Sequence, residues 1–187
     1  LVQQAMPSFE LEEAKVSGVR MVGMGDRVCI DTCSLLERGE GMLVGSQSGV
    51  LYLVHSESLE SRFVNSRPFR VNAGPVHAYV MMAGGVTSYL SELQAGSHPL
   101  AVRDDGRCRQ VVVGRIKIER RPLLLVETEV RGIHSTIILQ NAETVNLCSP
   151  EGPRSVTSIK EGDRVKVHVS PGGRHFGMSV QETVYEW

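Results

Sequence analysis

The sequence predicts a mainly β protein, a strand-rich assembly with small β-barrel-like units and little helix. Three observations predict it. Short β-branched runs recur from end to end, Gly, Pro, Asp-Gly and Arg-Gly punctuate them, and apolar residues seldom repeat at helical spacing. Gly25-Asp26-Arg27-Val28 reads as a glycine that turns the chain into a new strand. It is repeated identically at Gly162-Asp163-Arg164-Val165 and in kind at Gly96-Ser97-His98-Pro99. Gly49 to Val54 is apolar at successive positions, as a strand buried on both faces must be, and it delivers His55 and Glu57 to its end. Arg67 precedes Pro68 and is therefore biased to extended backbone, after which Arg70 and Asn72 fall on one face of the next strand.

Asn72-Ala73-Gly74-Pro75 combines a permissive and a rigid residue, and His77 heads the apolar run Ala78 to Met82. A boundary at Gly84-Gly85 divides residues 1–84, a strand-rich segment with the candidate site, from residues 85–187, a barrel-like domain. Ser88 to Ala95 is the one helical candidate. Val111 to Glu119 alternates Ile116 and Ile118, expected inward, with Arg115, Lys117 and Glu119 outward. Arg121-Pro122 then breaks it before Leu123 to Val130, predicting a hairpin with Glu127 and Glu129 across from the basic residues. Asp104-Asp105-Gly106, Pro150-Glu151-Gly152-Pro153 and Pro171-Gly172-Gly173 are turn signals.

The chain has 187 residues, 41% of them hydrophobic, which suffices for a core. Lysine and arginine number 20 against 21 acids, so there is no basic excess to neutralise a nucleic-acid backbone. No apolar run approaches the roughly 20 residues that span a bilayer, so no membrane partner is expected. Cys29, Cys33, Cys108 and Cys148 are too irregularly spaced for a disulfide scaffold or a structural zinc, and are expected to be free thiols. A cytoplasmic location follows, or a plastid if the source is a plant or alga. The first residue is not methionine and the chain opens on what reads as the approach to a strand, so a preceding portion of the same polypeptide is expected.

The stretch His55 to Tyr79 concentrates two histidines, two glutamates, three arginines and two asparagines between apolar runs. That is the inventory of a polar small-molecule site. His55 and Glu57, two apart on a strand, are expected to project together. They could orient an imidazole for proton transfer, or hold a divalent metal with His77 or His175; a histidine capping the sheet beside a solvated glutamate is the alternative. Arg67, Arg70 and Asn72 form a candidate clamp for a carboxylate, because a planar guanidinium offers two parallel hydrogen bonds. Surface ion pairs would be the plainer explanation. Arg174 and His175, in Gly173-Arg174-His175-Phe176-Gly177-Met178, make a second polar cluster where glycines let backbone approach a ligand. His55, Glu57, His77, Arg67, Arg70 and Asn72 are expected around one cleft. No phosphate loop, nucleophile elbow, HExxH or dinucleotide fingerprint occurs.

Taken together, GDRVCIDTCSLL, GEGMLVGS, HSESLE, SRPFRVNAGPVHAY, VGRIKIERRPLLLVE, ILQNAET and GGRHFGMSV resemble the C-terminal portion of the second, archaeal-type family of 3-dehydroquinate synthases. The resemblance implies NAD-dependent oxidative deamination of 2-amino-3,7-dideoxy-D-threo-hept-6-ulosonate and ring closure to 3-dehydroquinate, in aromatic amino acid biosynthesis. His55, Glu57, His77 and His175 would then be acid/base candidates, and Arg67, Arg70, Asn72 and Arg174 would hold substrate. The positions that bind NAD are not evident. A related branch resembles a manganese-dependent 3-amino-4-hydroxybenzoate synthase that uses the same substrate, and a β-barrel binding module without catalysis is a third reading.

Overall fold

In the computed structural model, residues 8–60 and 65–170 are described, with the backbone alone of 174–175 and 178–179. The strands are β1 (Glu12–Thr32), β2 (Glu40–Gln47), β3 (Val50–His55), β4 (Arg70–Pro75), β5 (Tyr79–Met82), β6 (Val86–Tyr89) and β7 (Leu100–Arg103). They continue with β8 (Cys108–Gln110), β9 (Val113–Val130), β10 (Ile133–Gln140), β11 (Asn146–Ser149), β12 (Gly152–Ser155), β13 (Arg164–Val169), β14 (Arg174–His175) and β15 (Met178–Ser179). The protein is mainly β, as the sequence predicts. One antiparallel sheet runs β10-β9-β1-β13-β3-β2-β5-β6, with β4 added on β1, β7 on β2 and β11 on β3. It does not close on itself, so the expected barrel-like units are replaced by an open, branched sheet. Gly84 and Gly85, both at positive φ, form the tight turn between β5 and β6, and strands from either side of that turn share the sheet.

The core lies on both faces of the middle strands. In β3 the side chains of Val50, Tyr52 and Val54 enter one apolar cluster with Val28, Ile30, Val71, Val126, Ile137 and Val165. Leu51 and Leu53 enter a second, with Leu43, Met81, Leu100 and Val102. The apolar run from Gly49 is therefore a doubly buried strand, as its unbroken hydrophobicity requires. Burying the Tyr52 hydroxyl would cost stability without partners, and it has two: Thr128 Oγ1 at 2.6 Å and Ser135 Oγ, on β9 and β10.

The spine is the pairing of β1 with β9, which extends from Lys15 opposite Glu129 to Thr32 opposite Val113. Several expectations give way to this register and its neighbours. Pro122 does not break a hairpin; it lies inside the continuous strand β9, opposite Met24. Its ring removes an N–H on the side where β10 has just ended at Gln140, so no ladder bond is lost, and its carbonyl accepts from Asn141 N–H at 3.0 Å. Glu127 and Glu129 consequently face Gly18 and Lys15 of β1, not the basic residues upstream, and Ile118 is exposed instead of inward. Gly25 starts no turn either. It sits within β1 because a Cβ there would meet the Leu123 side chain at 2.4 Å. The helix expected over Ser88 to Ala95 contracts to a single turn, Leu90–Glu92. The real hairpin turn of this region is Arg131-Gly132, where two successive positive φ values give the tight reversal from β9 into β10.

Candidate functional site

Strand alternation builds the site. Where β4, β1 and β9 lie side by side, odd-numbered residues of β1 share a face with even-numbered residues of β4 and odd-numbered residues of β9. The register lines up Arg70, Asp31 and Arg115 as one row, and Asn72, Cys29 and Lys117 as the next. Arg27 opposite Glu119 makes a third. The opposite face of the same strands carries Val28, Ile30 and Val71 into the core, so the rows cannot slip without exposing it.

Each row is wired by charge. Arg70 clasps Asp31 through two parallel hydrogen bonds, Nε to Oδ1 at 2.7 Å and Nη2 to Oδ2 at 3.0 Å, and Arg115 Nε reaches Oδ2 at 2.8 Å. Burial alone would push the Asp31 carboxyl up, but these two guanidiniums outweigh it and hold the group below the usual carboxylate range. Arg27 Nη2 binds Glu119 at 2.7 Å while its Nη1 shares the Gln140 Oε1 acceptor with Asn72 Nδ2, at 2.9 and 2.8 Å. Among the described residues, Arg27 Nε and Asn72 Oδ1 are buried without a hydrogen-bond partner. Glu57 enters from the segment between β3 and β4, its N–H bonded to Arg70 O and its carbonyl to Arg67 N–H. Burial pushes its carboxyl up, against the pull of Arg70, Arg67 and Arg27. Cys29, desolvated beneath these groups, is raised to about 11 and stays a thiol.

The profile of the 3-dehydroquinate synthase II C-terminal domain family matches residues 13–187. The chain belongs to that family. A 3-dehydroquinate synthase of Methanothermobacter thermautotrophicus is 56% identical over 96% of this chain and 48% of its own length. Those of Methanothrix thermoacetophila and Methanocaldococcus jannaschii are 57% and 55% identical, over 97% and 94% of this chain and 50% and 49% of theirs. The chain thus spans about half the length of the curated relatives it matches, and it is their C-terminal portion. No solved structure matches it.

Of the residues singled out from the sequence, this family member brings Glu57, Arg67, Arg70 and Asn72 to the polar face. His55 and His77 make their contacts elsewhere. β3 ends at His55, and the chain then leaves the strand, so the expected common projection of His55 and Glu57 does not arise. The buried His55 ring accepts from Gly39 N–H at 2.8 Å through Nε2 and donates through Nδ1 to its neighbour Ser56 O at 2.6 Å. Desolvation lowers its pKa, and both nitrogens are engaged, Nε2 by the turn before β2 and Nδ1 by the backbone that follows β3. His77 is exposed and lies 3.2 Å from Ser46 Oγ. Arg174 and His175 belong to β14, and their side chains fall outside the described residues.

The turn that His55 secures carries Glu40, which lines a cavity of about 260 Å3 with Glu37, Arg103, Arg107, Cys108 and Arg109. Arg109 clasps the buried Glu40 through Nε at 2.8 Å and Nη2 at 2.9 Å, so the cavity's most buried charge is already paired. The sequence reading missed Arg27, Asp31, Arg115, Glu119 and Glu40. Arg27, Cys29 and Asp31 alternate in GDRVCIDT, a period-two signal masked by treating Gly25-Asp26 as a turn. All four cysteines are free. Among the described residues no three His, Cys, Asp or Glu side chains gather to hold a metal ion, and no helix is long and apolar enough to cross a membrane.

Proposed function

We propose that this chain is the C-terminal portion of a 3-dehydroquinate synthase of the second type, and that its polar face holds and deprotonates the acidic C7 amino-sugar substrate. The names of the relatives support the synthase activity. The observation that carries the role of the face is its charge balance. Arg27, Arg67, Arg70, Arg115, Lys117 and Arg121 surround Asp31, Glu57 and Glu119, leaving cations in surplus for a substrate carboxylate. Arg67 makes no ion pair among the described residues, and in this reading its fork takes the carboxylate. Arg70 sits beside it, anchored by Asp31, and keeps the local potential positive.

Ring closure needs a proton removed from the carbon next to a ketone, so that the resulting enolate can attack the second carbonyl and form the carbon–carbon bond. Glu57 is the group for that proton. Its raised pKa brings it nearer the working pH, which strengthens a carboxylate as a base, and the neighbouring guanidiniums stabilise the enolate oxygen. In this reading NAD supplies the hydride acceptor for the deamination. The described residues include no glycine-rich strand-to-helix turn to cradle a dinucleotide, and their helix is confined to Leu90–Glu92, so the NAD contacts are assigned to the other half of the protein. In this reading the reaction runs in a reducing compartment, the cytoplasm, which the four free cysteines support.

The test is to incubate full-length protein with the C7 amino acid and follow NADH and dehydroquinate, with and without manganese. NADH together with dehydroquinate is the expected result. A manganese-dependent aromatic amine would assign the chain to the non-oxidative branch, and neither product would leave a binding module.

A further inference from the structure

We propose that an exposed apolar strip on the β1–β9 ribbon is the docking surface for the half of the polypeptide that precedes this chain. The strip is formed by Ile118, Met24 and Met21. It lies on the same strand face as Val28 and Ile30, which are fully buried. Ile118 stands opposite Val28, and Met24 opposite Pro122. A register shift between Met21 and Gly23 then returns Met21 to this face, opposite Leu124. Along this face exposure rises from zero at Val28 to 50% at Ile118 and 53% at both Met24 and Met21, and falls again at Leu124, 6% exposed and part of the core. Val22, in the bulge, adds 40%.

A ribbon built to stand in water would be polar where its cover ends, as the other face is, with Arg27, Glu119 and Arg121. Only Asp26, opposite Arg120, interrupts the strip. An exposed apolar stretch between two buried parts of one core face, Val28 on one side and Leu124 on the other, is completed by another body. The occupant follows from length. The relatives extend to about twice this chain, which leaves a domain's worth of polypeptide outside it. β1, the strand that carries Met21 and Met24, is the first strand of the fold, so the preceding half is tethered to that same strand. Tethering gives it an effective concentration on the order of millimolar without any new contact, an advantage a second copy lacks. Two unbranched thioethers also suit an interface between bodies that adjust to one another.

The experiment uses full-length protein in which photo-methionine replaces methionine, irradiated and mapped by mass spectrometry. Cross-links from Met21 and Met24 to peptides preceding residue 1 are expected. Met42 and Met81, both buried in the sheet, should link to their neighbours within the chain and serve as the internal control. Links from Met21 or Met24 only to residues of this chain, within one molecule or between two copies, would overturn the proposal. Absence of links at Met21 and Met24, with the controls intact, would overturn it too. Peroxide oxidation gives an independent reading. Met21 and Met24 should oxidise roughly tenfold or more slowly in the folded full-length protein than in urea, because sulfoxide formation follows exposure. Equal rates in both conditions would show the strip bare.

Discussion

Two regions of the molecule use the same chemical pair to opposite ends. In the cavity beside His55, Glu40 and Arg109 form a closed account of charge, with the carboxylate also accepting Glu37 N–H at 3.0 Å. On the β4–β1–β9 face Asp31 is clasped as tightly by Arg70, yet Arg115, Arg67, Arg27, Lys117 and Arg121 outnumber the remaining carboxylates. Both Asp31 and Glu40 are held below the ordinary carboxylate range, whereas Glu57 is pushed above it. Buried pairing fixes geometry in either place. In the proposed reading, a surplus of cations around one raised carboxyl is what suits the face to acid/base work on an anion.

That contrast can be broken at five points, each tested in full-length protein. Glu57→Gln should have the largest effect, a fall in kcat of about a hundred- to ten-thousandfold, as expected for loss of a general base. A wild-type rate in steady-state kinetics would remove Glu57 from the mechanism. Asp31→Ala, which leaves Arg70 unpaired in a nearly closed site, should cost about 3–5 kcal/mol of stability in urea denaturation. Its pH dependence has a definite sign. A carboxyl with a depressed native pKa stabilises the fold above its unfolded value of about 3.9 and loses that contribution as pH falls through the native value. Asp31→Asn should therefore flatten the acid limb of the stability profile.

Arg67→Lys should lower kcat/KM by about thirty- to a thousandfold, or about 2–4 kcal/mol, with stability unchanged, because lysine cannot supply the fork. Arg70→Lys should show a similar kinetic loss and also lose about 1 kcal/mol of stability, since its fork holds Asp31. Glu40→Gln should weaken the fold by only about 1–2 kcal/mol, Arg109 being partly solvated, and leave kcat/KM near wild type. A large kinetic defect there would move the site into the cavity. The smallest expected effect is on the stability of Glu57→Gln. A raised carboxyl costs stability as pH climbs from its unfolded value, about 4.3, through the native one, so the variant should gain under about 1 kcal/mol at neutral pH and nothing below pH 4.

The strand content was readable from the sequence because alternation and turn residues act over a few positions. Gly49 to Val54 announced a doubly buried strand, and SRPFRVNAGPVHAY marked three residues of the polar face, Arg67, Arg70 and Asn72. What local reading cannot reach is which strand lies alongside. Pro122 looked like a break because its tolerance depends on where β10 stops, and Gly25 looked like a turn because its reason for being glycine is Leu123 on another strand. Asp31 and Arg115, 84 residues apart in the chain, meet only through the β1–β9 register. His55 and His77 attracted attention as chemical types, but a ring nitrogen can be satisfied by backbone, and which fate it meets depends on a turn 16 residues upstream.

The register between β1 and β9 also dictates the order in which the protein can assemble. β1 spans Glu12–Thr32, and its neighbours are β4, β9 and β13, the last of which begins at Arg164. A chain emerging from the ribosome must therefore carry β1 through the synthesis of some 130 further residues, at roughly 5–20 residues per second, before β13 can seal it. Throughout that interval Glu12–Lys15, the stretch of β1 that pairs with β13, keeps that edge open even after β4 and β9 have paired with the rest of the strand. Contacts so distant in sequence make folding slow and expose the nascent strand to pairing with the wrong partner. Protection of the Glu12–Lys15 amides in pulsed hydrogen exchange should appear last, together with that of β13, and after that of the β1 residues that pair with β4 and β9.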